Sequence, residues 1–135
     1  MGRYAKNAGA VFSLKYHLVW CSKYRRPVLV SPVDRRLKTL LHRVAEEYEI
    51  TIHTLEVMPD HVHLFLEADP TLCVAEIANR LKGNTSHALR KEFPHLRSRL
   101  PTLWSRSYYA GSIGSVSEAT IRRYIEGQKD EAWRD

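Results

Sequence analysis

Apolar residues along this chain repeat with two periods, and each period predicts an element. Residues 11–21 carry Val11, Phe12, Leu14, Tyr16, Leu18, Val19 and Trp20, an aromatic and β-branched run that reads as a first strand. A basic loop follows, Ser22-Lys23-Tyr24-Arg25-Arg26-Pro27. Ser31 with Pro32 supplies an N-cap and a first-turn proline. Val33, Leu37, Leu40, Leu41, Val44 and Tyr48 then recur at the spacing of one helix face. Residues 50–57 alternate as a second strand, Pro59-Asp60 makes a turn, and a third strand returns to about residue 68. Residues 73–92 show helical spacing through Val74, Ile77, Ala78 and Leu81, with Gly83 as a local irregularity and Pro94 as the stop. Leu103, Trp104, Tyr108 and Tyr109 mark a fourth strand over 103–112. Gly111 and Gly114 then form a flexible joint, and Ser115-x-x-Glu118 is a capping box opening a last helix to about residue 128.

The order is βαββαβ with one extra helix. That predicts an α+β class, a ferredoxin-like antiparallel sheet with helices on one face, plus a C-terminal helix. A single domain over residues 1–135 is expected, with the core at 9–112 and the final helix at 115–129. The third strand would lie at the centre of the sheet, a rigid place for a site.

Composition narrows the class. At 44% hydrophobic residues the chain has material for a packed core. Its 21 Lys and Arg against 15 Asp and Glu give a net charge of +6, which suits a polyanionic partner such as nucleic acid. Two cysteines far apart in sequence, Cys21 and Cys73, form no disulfide framework and suit a reducing compartment. No apolar stretch is long enough to span a bilayer and no signal-peptide layout opens the chain. A soluble, cytoplasmic protein is expected.

The third strand carries the chemistry. It begins Pro59-Asp60-His61-Val62-His63-Leu64, and on a strand His61 and His63 project from the same face while Val62 faces the core. Two adjacent imidazoles are half of a metal site. A histidine-triad hydrolase would need a third histidine at the position held here by Phe65. On the last helix Ile121, Tyr124, Ile125 and Gln128 share one face. The plainer reading is an amphipathic helix with Tyr124 as a packing aromatic. Gln128 is the residue that an apolar stripe does not call for, and its amide oxygen completes a His61, His63, Gln128 donor set suited to Mg²⁺ or Mn²⁺. Tyr124, about one turn away, would then be a nucleophile for phosphoryl transfer, with the metal neutralising charge on the scissile phosphate.

With these pieces assembled, the chain resembles the single-tyrosine HUH transposases of bacterial and archaeal insertion sequences, the TnpA or IS200-like type. The resemblance is carried by Ser22-Lys23-Tyr24-Arg25-Arg26-Pro27-Val28, Met58-Pro59-Asp60-His61-Val62-His63-Leu64, Leu81-Lys82-Gly83, the stretch from Trp104-Ser105 to Gly114, and Tyr124-Ile125-Glu126-Gly127-Gln128. It implies Tyr124 as the catalytic nucleophile and His61, His63 and Gln128 as metal ligands. It implies cleavage and rejoining of single-stranded DNA at element ends, through a 5′-phosphotyrosine intermediate, with recognition of DNA hairpins. It also implies a homodimer in which the last helix of one subunit can complete the histidine site of the other, the cis or trans placement staying open.

The remaining candidates are secondary. Lys23, Tyr24, Arg25 and Arg26 suit single-strand binding through phosphate contacts and stacking. Lys82, Asn84 and Ser86 resemble a family helix that faces DNA. Tyr108 and Tyr109 sit in a predicted strand, where aromatics pack. His17, His42, His53, His87 and His95 lie outside the motif and read as surface or core residues. Two alternatives stay open: a domesticated, repeat-associated tyrosine transposase, and a non-catalytic module that binds single-stranded nucleic acid.

Overall fold

Alternation along the two central strands decides which side of the sheet is core. The computed structural model describes residues 5–7, 10–112 and 118–134, with side chains over 13–112 and 118–128. A small hairpin, β1 (Ala5–Asn7) and β2 (Ala10–Phe12), precedes the main sheet. That sheet has four strands: β3 (Leu14–Cys21), β4 (Thr51–Met58), β5 (His61–Ala68) and β6 (Tyr109–Ser112). Their order is β4-β5-β3-β6 and every neighbouring pair is antiparallel. This is the ferredoxin-like arrangement, and it places β5 in the interior of the sheet.

In β5 the side chains of Val62, Leu64 and Leu66 are fully buried, while His61, His63 and Phe65 on the other face are only partly so. Leu18 and Trp20 of β3 join the buried side. Two helices supply the opposing apolar stripes: α1 (Val33–Glu47) through Leu37, Leu41 and Val44, and α2 (Val74–Glu92) through Ile77, Leu81 and Leu89. Each such large apolar side chain contributes roughly 1.5–3 kcal/mol on burial. The second face of the sheet is crossed by α4 (Glu118–Arg134), which packs on β3 and on the short turn at Lys23–Arg25. Val19, at 0% exposure on this second face, shows how closely it is covered there.

Several boundaries differ from the sequence reading. The first strand is interrupted at Ser13, so residues 10–12 belong to the small hairpin instead. Helix α1 begins at Val33, with Pro32 in the preceding position. Gly83 lies within an uninterrupted α2, and Pro94 opens a further short helix, α3 (Pro94–Arg99), where its missing N–H costs nothing.

The largest correction concerns the fourth strand, expected over 103–112 and found only at Tyr109–Ser112. Continuing the Val19–Tyr109 register would pair Ser22 with Arg106, but Ser22 bridges Trp104, two residues earlier. The surplus residues form a loop whose backbone is held both by the end of β3, through the Cys21 carbonyl, and by α2, through Lys82. Gly111 is part of β6, opposite His17, whereas Gly114 and the proposed cap at Ser115 lie outside the described residues. Among the described residues no helix is long and apolar enough to cross a membrane.

Candidate active site

The β4–β5 hairpin positions both motif histidines. His61 lies opposite Cys21 on β3 and Met58 on β4; His63 lies opposite Val19 and Glu56. His61 Nδ1 donates to Asp60 Oδ1 at 2.8 Å, which leaves Nε2 as the ring's free lone pair. Asp60 is fixed in turn by Arg25, whose Nε donates to Oδ2 at 3.0 Å. Burial pushes the Asp60 carboxyl up, but the hydrogen bonds from His61 and Arg25 outweigh it and hold the group below the usual carboxylate range.

His63 is arranged in the same sense. Its Nδ1 faces Glu56 Oε1 at 3.5 Å, and its Nε2 lies 2.9 Å from His17 Nδ1. Two neutral imidazoles can share such a contact when one donates and the other accepts. With the His63 proton on the Glu56 side, His17 is the donor and His63 Nε2 the acceptor. Burial lowers the basicity of His63, with His17 and His61 adding to that and Glu56 opposing it. Burial lowers His17 as well. Both rings are therefore biased toward the neutral form in which imidazole is a ligand.

Helix α4 roofs this region. Between it and the sheet is a cleft of about 730 Å³, lined by His17, Glu56, His61 and His63 below, Arg25 beside them, and Ile121, Arg122 and Ile125 above. Arg25 Nη1 also donates to the Ile125 carbonyl at 3.4 Å, tying the helix to the turn that holds Asp60. Ile121, Tyr124, Ile125 and Gln128 are all half-buried, so the stripe read from the sequence does face the protein. Tyr124 and Gln128, however, are not among the residues that line the cleft. The Tyr124 hydroxyl lies 3.0 Å from Ser107 Oγ, and its ring is 6.1 Å from that of Tyr109, so it is held toward β6.

The candidate donors have the chemistry of a hard divalent site, but Gln128 does not line the cleft that holds the two histidines. Among the described residues no three His, Cys, Asp or Glu side chains converge as a cage, so the pair His61 and His63 needs a donor of another kind. Gln128 Oε1 is buried and has no hydrogen-bond partner, the condition of an acceptor that lacks its donor or cation. Two imidazole nitrogens and a carboxamide oxygen, with further positions left to water or phosphate, match the chemistry of Mg²⁺ or Mn²⁺.

The residues expected to bind DNA divide by placement. Lys23 Nζ and the Arg26 guanidinium sit over the Tyr24 ring at 5.1 and 5.9 Å, and Tyr24 itself packs against the core. Arg25 points into the cleft. Lys82 turns inward, donating to the carbonyls of Ser105, Arg106 and Ser107. Asn84 and Ser86 lie on the outer side of α2, in grooves shared with Arg80, Arg90, Lys91 and Arg97.

Sequence reasoning passed over His17, set aside as surface or core. The usable signal was its parity: His17 and Val19 share a face of β3, and antiparallel pairing carries that face to His63. Only the register, which the sequence does not state, brings the two rings together.

Known proteins resemble this chain over most of its length. The family model described as Transposase IS200 like matches residues 10–128. The ISDra2 transposase TnpA of Deinococcus radiodurans is 39% identical over 127 residues, covering 93% of this chain and 91% of that protein. The transposase for insertion sequence element IS200 of Salmonella typhimurium is 31% identical over 133 residues, covering 97% and 87%. A crystal structure of a Deinococcus radiodurans protein assigned as a transposase superposes with a TM-score of 0.81 at 40% identity, covering 92% of this chain and 97% of that one. A REP-associated tyrosine transposase bound to a REP hairpin shares the fold, with a TM-score of 0.58 at 15% identity, covering 91% and 65%.

Proposed function

This chain belongs to the IS200-like transposase family, and from that premise we propose that it cuts and rejoins single-stranded DNA at insertion-sequence ends through a 5′-phosphotyrosine intermediate. The observation that carries the reading is the cleft itself: two histidines aimed by carboxylates, roofed by the helix that bears Tyr124. In the step, Tyr124 Oη forms a bond to the scissile phosphorus. The bond from phosphorus to the DNA 3′ oxygen breaks, leaving a free 3′-OH, and the phenolic proton passes to the leaving oxygen or to water. Attack by another DNA 3′-OH on the phosphotyrosine reverses the exchange and frees Tyr124, so the covalent link conserves the bond and no nucleotide cofactor is consumed.

His61, through Nε2, and Gln128, through Oε1, would hold Mg²⁺ or Mn²⁺ together with His63, whose Nε2 would exchange its hydrogen bond from His17 for the ion. When bound, such an ion neutralises charge on the phosphate and polarises phosphorus. Asp60 and Glu56 orient the two rings, and Arg25 keeps Asp60 ionised beside them. Lys23 and Arg26 on the turn, with Asn84, Ser86 and the cations along α2, offer phosphate contacts to a DNA hairpin. A second copy of the chain enters the proposal because Tyr124 does not line the cleft beneath its own helix: in a homodimer the partner's helix would deliver the phenol. Mixing Tyr124→Phe with His61→Ala protein tests this, since one competent site reforms only if helix and histidines come from different subunits.

The test of the reaction is a denaturing gel. Labelled single-stranded DNA from the flanks of the gene is incubated with wild type or Tyr124→Phe, with Mg²⁺ or EDTA. A covalent protein–DNA band that requires both the ion and Tyr124 is expected. Hairpin binding without any such band would reduce the protein to a binding module.

A further inference from the structure

The loop at 103–107 has no ladder partner for most of its length, yet it is held at many points. Trp104 Nε1 donates to the Lys82 carbonyl at 3.0 Å and to Thr85 Oγ1 at 3.1 Å, and its ring meets Trp20 edge-on at 5.7 Å. Ser105 N–H donates to the Cys21 carbonyl, and Lys23 N–H to the Leu103 carbonyl. The firmest tie is Lys82. Its ammonium donates to the carbonyls of Ser105, Arg106 and Ser107 at 2.7, 3.2 and 3.0 Å, one acceptor for each of its N–H groups. A half-buried lysine with all three donors spent on consecutive carbonyls is a clamp on backbone, and it leaves no N–H to reach for a phosphate. At the end of the clamped loop stands Ser107 Oγ, 3.0 Å from Tyr124 Oη.

We propose that Ser107 is a positioning residue for the Tyr124 phenol and that Lys82 makes it one by fixing the loop. This rests on Tyr124 being the nucleophile and on each Tyr124 keeping its own subunit's Ser107 contact when it meets a histidine pair, its own or a partner's. A phenol on a helix rim has a free torsion at its hydroxyl and a flexible ring. A hydroxyl partner on a fixed loop removes both freedoms and offers a donor to the oxygen as its proton departs.

The experiment has two readouts on the full-length protein. In the DNA-free protein labelled with ¹³Cζ-tyrosine, the Tyr124 resonance is assigned from Tyr124→Phe. It should move in Ser107→Ala and in Lys82→Met, and return toward the wild-type position in Ser107→Thr. In single-turnover cleavage at saturating DNA, Ser107→Ala should slow the covalent step about 10-fold and Lys82→Met about 100-fold, the cost of a misplaced reacting group. DNA affinity should stay within about twofold, and Ser107→Thr should recover most of the rate. A Tyr124 resonance unmoved in Ser107→Ala overturns the proposal. So does an unchanged or raised rate, or a loss of affinity that matches the loss of rate. If the resonance moves but Tyr124→Phe still forms the adduct, the contact stands and the assignment of the nucleophile falls.

Discussion

The two faces of β5 differ in what they ask of a residue. On one face Val62, Leu64 and Leu66 are completely buried against the helices. On the other His61, His63 and Phe65 remain partly open, and each histidine has at least one ring nitrogen held by a named partner. Neighbouring residues of one strand are thus assigned to different work, stability on the helix side and chemistry on the α4 side. The rigid interior position of β5 serves both, because the packed face fixes the backbone from which the histidines project.

The sharpest way to test that division is to change adjacent residues. His63→Ala should lower DNA cleavage on the order of 1,000-fold, several kcal/mol of lost charge stabilisation, while the melting temperature stays close to wild type. If His63→Ala instead unfolds the protein, the two faces are not separable. Leu64→Ala should cost roughly 2–5 kcal/mol of stability, read from a denaturant midpoint. Its folded fraction should still bind Mn²⁺, and loss of binding there would mean that the packed face tunes the site directly.

Asp60→Asn sharpens the comparison within the open face. The amide has one acceptor oxygen where the carboxylate has two and carries no charge, so it cannot accept from both His61 and Arg25, and Mn²⁺ affinity should fall about 10–100-fold by calorimetry with little change in stability. An unchanged affinity would remove Asp60 from the site. Smallest are the effects of Lys23→Ala and Arg26→Ala. Each should reduce the slope of log affinity against log salt for a DNA hairpin by a little under one, without altering the cleavage step at saturation. A slope that does not change would place the DNA elsewhere.

The fold was legible because it is written in periodicity. Apolar and aromatic runs marked β3 and β5, alternation marked β4, and helical spacing marked α1, α2 and α4. The motif histidines were legible too, since parity on a strand is a local property. The fourth strand was misjudged because Leu103, Trp104 and Ser105 are buried outside the main ladder, with Trp104 held between α2 and Trp20 of β3. Lys82 looked like a DNA contact because sequence shows a lysine's charge but not what already occupies it. His17 was hidden for a related reason: its partner stands 46 residues away, and only strand register joins them. Polar residues with distant partners are what a single sequence conceals.

The central claim is that Tyr124 becomes joined to DNA, and peptide mapping of the covalent product tests it most directly. Trypsin cutting after Arg123 and Lys129 releases Tyr124-Ile125-Glu126-Gly127-Gln128-Lys129, separate from the peptide that carries Tyr108 and Tyr109. After nuclease trimming, mass spectrometry should place a 5′-linked nucleotide on Tyr124 in that short peptide. A nucleotide on Tyr108 or Tyr109, or none on any tyrosine of a preparation that cleaves DNA, would contradict the account.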